Sequence, residues 1–133
     1  VKPESGFGKG SWYNSPFQGC IWLRSSSEVQ RAKELDAEGA VWFYEALRYS
    51  VVLDNEVRSY TPDFWVVQDV HRTNVPEDLN PKLFLSIHPH VVEDVKGWWK
   101  PTHKTYRKVM AFIEQHPEVS FRVVIREGMP NAA

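Results

Sequence analysis

Two carboxylates and an ammonium, Asp63, Asp94 and Lys96, have the types and the spacing to work on a phosphodiester. Asp94 and Lys96 stand two apart in Val92-Glu93-Asp94-Val95-Lys96-Gly97. On a strand, side chains alternate faces, so Asp94 and Lys96 share one side while Glu93 and Val95 take the other. If the strand carrying Tyr60-Thr61-Pro62-Asp63-Phe64 lies alongside, Asp63 joins them and two hard oxygen ligands suited to Mg2+ or Mn2+ converge. A metal there would neutralise charge on the phosphate and lower the pKa of a bound water, and Lys96 would position or deprotonate that water. A Pro-Asp dipeptide alone is ordinarily a turn, and a DxK triplet alone is ordinarily a solvated strand face; their combination, with Gly97 following, carries the reading. A bulge in the strand would substitute Glu93 for Asp94.

The elements that must position these residues follow from periodicity. Residues 1–20, rich in Gly, Ser, Pro and Asn, read as a flexible N-terminal arm, and residues 21–133 as one domain. Within the arm, Gly6-Phe7-Gly8-Lys9-Gly10-Ser11 lacks the spacing of a phosphate loop. Ser25 to about Glu38 reads as a helix with Val29, Ala32 and Leu35 at helical spacing and Gly39 as its stop. Val41 to Tyr44 reads as a strand, and Tyr49–Leu53 with Val57–Val67 as a hairpin around Asp54-Asn55-Glu56. Residues 68–82 read as a loop or insertion, and Leu83–Ile87 and Val91–Val95 as strands. Pro101 and Thr102 are expected to open a helix to about His116 with Tyr106, Val109, Met110 and Ile113 as its apolar stripe, before a last buried strand at Phe121–Ile125. The order implies an α/β fold, a mixed β-sheet flanked by helices.

Pro62-Asp63 followed by Asp94-Val95-Lys96 resembles the signature of the PD-(D/E)XK nucleases, and the resemblance extends over roughly residues 24 to 127 because the flanking elements come in that family's order. Ser27-Glu28, Tyr44-Glu45, Tyr60-Thr61-Pro62-Asp63-Phe64 and Lys96-Gly97-Trp98-Trp99 are similar to the small phage endonuclease I type Holliday junction resolvases. The resemblance implies a restriction-endonuclease-like core. It implies Asp63, Asp94, Lys96, Glu28 and Glu45 as catalytic residues, and Asp63, Asp94 and Val95 as the metal site. It also implies Mg2+ as cofactor, with Mn2+ able to substitute, and products with 5'-phosphate and 3'-hydroxyl ends. Many relatives carry glutamate where Asp94 stands; strand parity with Lys96 selects Asp94 over Glu93.

Each accessory residue has a plainer role beside the functional one. Ser25-x-x-Glu28 fits a helix capping box, and Glu45 fits a strand-end carboxylate facing water. His88 and His90 have the spacing of a metal pair but no further clustered ligands, so a loop or strand-edge role is favoured. Lys100, Lys104, Arg107 and Lys108 fall in a segment without acids and are candidate DNA contacts, or merely the wet face of a helix. Trp98 and Trp99 can stack on bases exposed in a distorted duplex, although at least one is expected in the core.

Composition bounds the remainder. A formal net charge of -1 excludes a protein that coats nucleic acid by bulk electrostatics. A single cysteine, Cys20, makes neither an internal disulfide nor a redox pair and suits a reducing interior. No apolar run approaches the roughly 20 residues needed to cross a bilayer, and the expected place is the cytoplasm of a bacterium or phage-infected cell. The functional expectation is a metal-dependent endonuclease acting on branched or junction DNA as a homodimer. The alternatives are a sequence-specific nuclease subunit of a mobile element or restriction system, and a non-catalytic nucleic-acid-binding module.

Overall fold

The computed structural model describes residues 10–126. Its centre is a mixed four-stranded sheet in the order β3 (Val41–Tyr44), β6 (Phe64–Val67), β7 (His90–Lys96), β8 (Phe121–Ile125). The first two pairings are antiparallel and β7–β8 is parallel, the crossover carrying the helix α3 (Tyr106–Gln115). Alternation of side chains divides the core. Trp42, Tyr44, Phe64 and Val95 pack on Ala32 and Leu35 of the helix α1 (Ser26–Ala37), whereas Val41, Phe43, Trp65, Val67 and Val92 face the other way, towards Phe84 and Leu85 of the short helix α2 (Pro81–Ile87). Large apolar side chains at every position of β3 and most of β6 are what a strand covered on both faces requires. Among the described residues no helix is long and apolar enough to cross a membrane.

Helix α1 lies where the spacing predicts it. Ser25 Oγ accepts the Glu28 N–H at 3.2 Å, and Gly39, at φ 71°, takes the left-handed turn that stops the helix. The hairpin of β4 (Tyr49–Leu53) and β5 (Glu56–Tyr60) also forms, closed by Asp54 and Asn55 at φ 53° and 64°, the left-handed pair a two-residue turn demands. It is a separate two-stranded sheet, however. The run from Val57 to Val67 is broken at Thr61-Pro62-Asp63, since proline has no N–H with which to continue a ladder, and the chain resumes as β6 in the central sheet.

Three expectations are corrected. Residues 1–9 of the arm, with most of the glycine-rich stretch, lie outside the described residues, but residues 11–20 are no free arm. They belong to a hairpin of β1 (Ser11–Ser15) and β2 (Gly19–Leu23). Ser15 Oγ accepts the N–H groups of Phe17 and Gln18, each at 3.1 Å, to shape its turn. The Gln18 amide then bonds the N–H and C=O of Tyr44 at 2.6 and 3.0 Å, and the Tyr13 hydroxyl bonds Asp36, tying the hairpin to β3 and α1. Residues 83–87 form helix, not strand: Asn80 Oδ1 accepts the Lys82 and Leu83 N–H groups at 3.1 and 3.2 Å, and Pro81 suits a first helical turn. Finally, α3 starts at Tyr106 after turns over 101–105. Val109 and Phe112 are its buried residues, packed on Val51 and Tyr60 of the hairpin, while Met110 and Ile113 are exposed.

Candidate active site

The break at Pro62 puts Asp63 at the threshold of β6, opposite the end of β7. The Asp63 N–H donates to the Glu93 carbonyl at 3.0 Å, and Asp63 Oδ2 accepts the Val95 N–H at 2.7 Å, so the carboxylate is held by the DxK strand itself. Asp94 and Lys96 share a face, as strand parity requires, with Lys96 Nζ 2.9 Å from Asp94 Oδ1. The Tyr60 hydroxyl donates to Asp94 Oδ2. All three predicted residues therefore line one cleft of about 1050 Å³.

Glu93 goes to the other face and is wholly buried. Arg31 of α1 reaches its two oxygens with Nε and Nη2, each at 2.8 Å, and Arg122 of β8 adds bonds of 2.8 and 2.5 Å. Oε2 takes three guanidinium N–H groups and Oε1 one, so this buried carboxylate is committed to the arginines on the face away from the cleft.

Asp94 differs. Its Oδ1 is buried and receives no directional hydrogen bond; its charged neighbour is Lys96. Asp63 is pushed well above the usual carboxylate range, first by burial and then by the charges of Asp94 and Glu28, which the Val95 amide and Lys96 offset only in part. Crowded, under-neutralised carboxylates are what a cation relieves, and the oxygen donors fit a hard one. Among the described residues no group of three or more His, Cys, Asp and Glu side chains able to hold a metal ion is present.

Glu28 and Glu45 also line the cleft. The Glu28 N–H is capped by Ser25 as one half of a capping box, while its buried carboxylate, raised by desolvation, accepts from the Tyr44 hydroxyl at 2.5 Å and from the Arg24 N–H at 3.2 Å rather than from Ser25. Glu45 stands at φ 50°, a left-handed backbone that a non-glycine residue adopts at a cost of ~1 kcal/mol or more. Its N–H donates to the Asp63 carbonyl at 2.9 Å, and its carboxylate lies 2.5 Å from Arg24 Nη2. That guanidinium is 3.6 Å from Asp63 Oδ1.

The basic segment separates on folding. Lys104 and Lys108 line the cleft, Lys108 Nζ also donating to the Ser59 carbonyl at 3.2 Å. Arg107 turns away to grip Asp54 at 2.6 and 3.1 Å, and Lys100 is exposed outside the cleft lining. Because α3 begins only at Tyr106, the four-residue recurrence of Lys100, Lys104 and Lys108 is not a helical stripe. Trp99 packs with the hairpin cluster, whereas Trp98 is half-exposed on the cleft lining. His88 and His90 take structural places: His88 stacks near Phe84, and His90 Nδ1 lies 2.8 Å from the His88 carbonyl.

Sequence reasoning missed Arg24 and His103, which also line the cleft. Arg24 directly precedes the N-cap of α1, a position that no motif marks. His103 was hidden in a lysine-rich run, though a lone histidine soon after DxK was a signal to follow. Its pKa is lowered by burial and by Lys96, which favours the neutral ring. No family model, curated protein or solved structure matches the chain.

Proposed function

We propose that the protein is a divalent-metal-dependent endodeoxyribonuclease with a PD-(D/E)XK, restriction-endonuclease-like core. The observation that carries this reading is the cleft floor. Asp63 and Asp94, brought together where β6 begins beside β7, stand next to Lys96, whose Nζ lies 2.9 Å from the buried Asp94 Oδ1. A Mg2+ or Mn2+ ion held by Asp63, Asp94 and the Val95 backbone would neutralise charge developing on the phosphate and acidify a water. The Val95 N–H fixes Asp63, and the Tyr60 hydroxyl fixes Asp94. Burial and the Asp94 charge push the Tyr60 pKa upward, so Tyr60 stays a protonated donor. Lys96 orients the attacking water or takes its proton and offsets negative charge as the phosphorus gains an oxygen. Glu28 and Glu45 shape the wall behind the metal site, and Lys104 and Lys108 add positive charge towards the phosphate backbone.

The proposed substrate is branched or junction DNA, cut by a homodimer, as the resemblance to junction resolvases implies. The test is a panel: purified protein with Mg2+ or Mn2+ against four-way junction, linear duplex, single-stranded DNA and RNA. Symmetrical cutting of the junction supports both claims. Equal cutting of junction and duplex removes the junction preference alone, and no cutting of any DNA removes the nuclease reading.

A further inference from the structure

His103 is an imidazole on the cleft that the proposed chemistry does not use. It stands on the turns between β7 and α3, partly buried, lining the same cleft as Asp94 and Lys96. Its Nδ1 accepts the Thr105 backbone N–H at 3.2 Å, and Thr105 Oγ1 lies 3.0 Å from the same atom. A ring nitrogen can accept an amide N–H only through its lone pair, so Nδ1 carries no proton and the ring proton resides on Nε2. The Trp98 and Trp99 rings flank the imidazole, with centroids 5.0 and 5.5 Å away, and restrict its rotation. The result is a fixed N–H donor at a known atom.

The cleft's own acceptors are already engaged: Asp94 by Tyr60 and Lys96, Glu28 by Tyr44, and Glu45 by Arg24. Among the described residues none hydrogen-bonds to His103 Nε2, and the ammonium groups of Lys96 and Lys104 stand on the same cleft. An N–H donor beside lysines, with the neighbouring carboxylates engaged elsewhere, suits an anion. With Nδ1 occupied and Nε2 protonated, the ring offers no lone pair to a water, so it is a poor general base, and a neutral imidazole is a poor acid. Donation of a hydrogen bond is the chemistry left to it.

We propose that His103 contacts substrate directly, its Nε2–H donating to a non-bridging phosphate oxygen of the DNA strand in the cleft. The inference rests on the nuclease reading and assigns a phosphate-binding residue to that same site. The contact supplies direction where the neighbouring lysines supply only charge, and Thr105 is the positioning residue behind it.

Binding of a fluorescein-labelled four-way junction and of a linear duplex, measured in Ca2+, tests it without relying on turnover. His103→Ala removes the donor, His103→Asn places an amide N–H near the Nδ1 position, and His103→Gln places one near Nε2. H103A and H103N are expected to weaken binding roughly tenfold, and H103Q to restore it to within about threefold of wild type, the difference expected of one hydrogen bond to a charged group. Scanning a methylphosphonate along the strand should reveal one phosphate at which the modification weakens wild-type binding but not that of H103A. Nitrogen NMR of the wild-type imidazole should show the proton on Nε2. Wild-type affinity in H103A, a loss in H103Q equal to that in H103A with the fold intact, or a proton found on Nδ1 would each overturn the proposal. A wild-type protein that binds no DNA at all would instead remove the nuclease reading beneath it.

Discussion

The two faces of β7 carry adjacent carboxylates into different surroundings. On one face Glu93 is surrounded by Arg31 and Arg122, with every charge answered at 2.5 to 2.8 Å. On the other, Asp94 keeps a buried oxygen whose charged neighbour is Lys96, and burial and its neighbours' charge push the Asp63 carboxyl well above the usual carboxylate range. The first arrangement ties α1 and β8 to the sheet. The second gathers carboxylates whose charge Lys96 and Arg24 answer only in part, the pattern on which the proposed cation site rests. A single step along a strand thus sends one acid to the arginines and its neighbour to the cleft.

Substitutions on the two faces should separate activity from stability. The largest effect expected is from Asp94→Asn: single-turnover cleavage should fall about a thousandfold, near 4 kcal/mol on the barrier, while the melting temperature stays at or above that of wild type. Glu93→Ala should do the reverse, costing about 3 kcal/mol in a denaturant melt because the buried Arg31 guanidinium loses the partner of its Nε and Nη2 and keeps only Glu34, at 3.1 Å. Its activity per folded molecule should stay within about tenfold of wild type. Equal effects of the two on cleavage would erase the distinction between the faces.

A divalent cation offers a smaller and pH-dependent effect. Because the folded pKa of Asp63 is raised, its contribution to stability is fully present below the unfolded value, about 3.9. It is lost as pH rises through the folded value. Mn2+ held at the proposed site would offset that charge, so its stabilisation of wild type in a thermal melt should grow as pH rises, and Asp94→Asn should abolish most of it. The smallest change is at the cleft's edge: Ser25→Ala, which removes the α1 cap behind Glu28, should cost about 1 kcal/mol in the same melt.

Much of the central sheet was legible because its strands are uninterrupted apolar runs. Val41-Trp42-Phe43-Tyr44 and Phe121-Arg122-Val123-Val124-Ile125 admit few other readings, and two-residue alternation alone was enough to choose Asp94 over Glu93. The same habit misled at Leu83-Phe84-Leu85-Ser86-Ile87, where an apolar run was taken for a strand although Asn80-Pro81 just before it is a helix-start signal. Composition misled at Ser11 to Cys20, where Gly, Ser and Asn in a tight hairpin look like those in a loose arm until Gln18 and Tyr13 find their distant partners. Arg24, His103 and the two tyrosine hydroxyls reach the site through tertiary packing, which no local pattern encodes. The stripe on α3 was half right: its phase depends on Phe112 seating against a hairpin whose placement the helix does not specify.

The most direct test of the central claim is cleavage of four-way junction and linear duplex DNA in Mg2+ by wild type, Lys96→Ala and Asp63→Ala, each first shown to be folded by circular dichroism. The account predicts cutting by wild type, loss of at least about a hundredfold in Lys96→Ala, and near-complete loss in Asp63→Ala. Cutting by either variant at the wild-type rate would contradict it, because chemistry at this cleft could not then depend on the residues that define it.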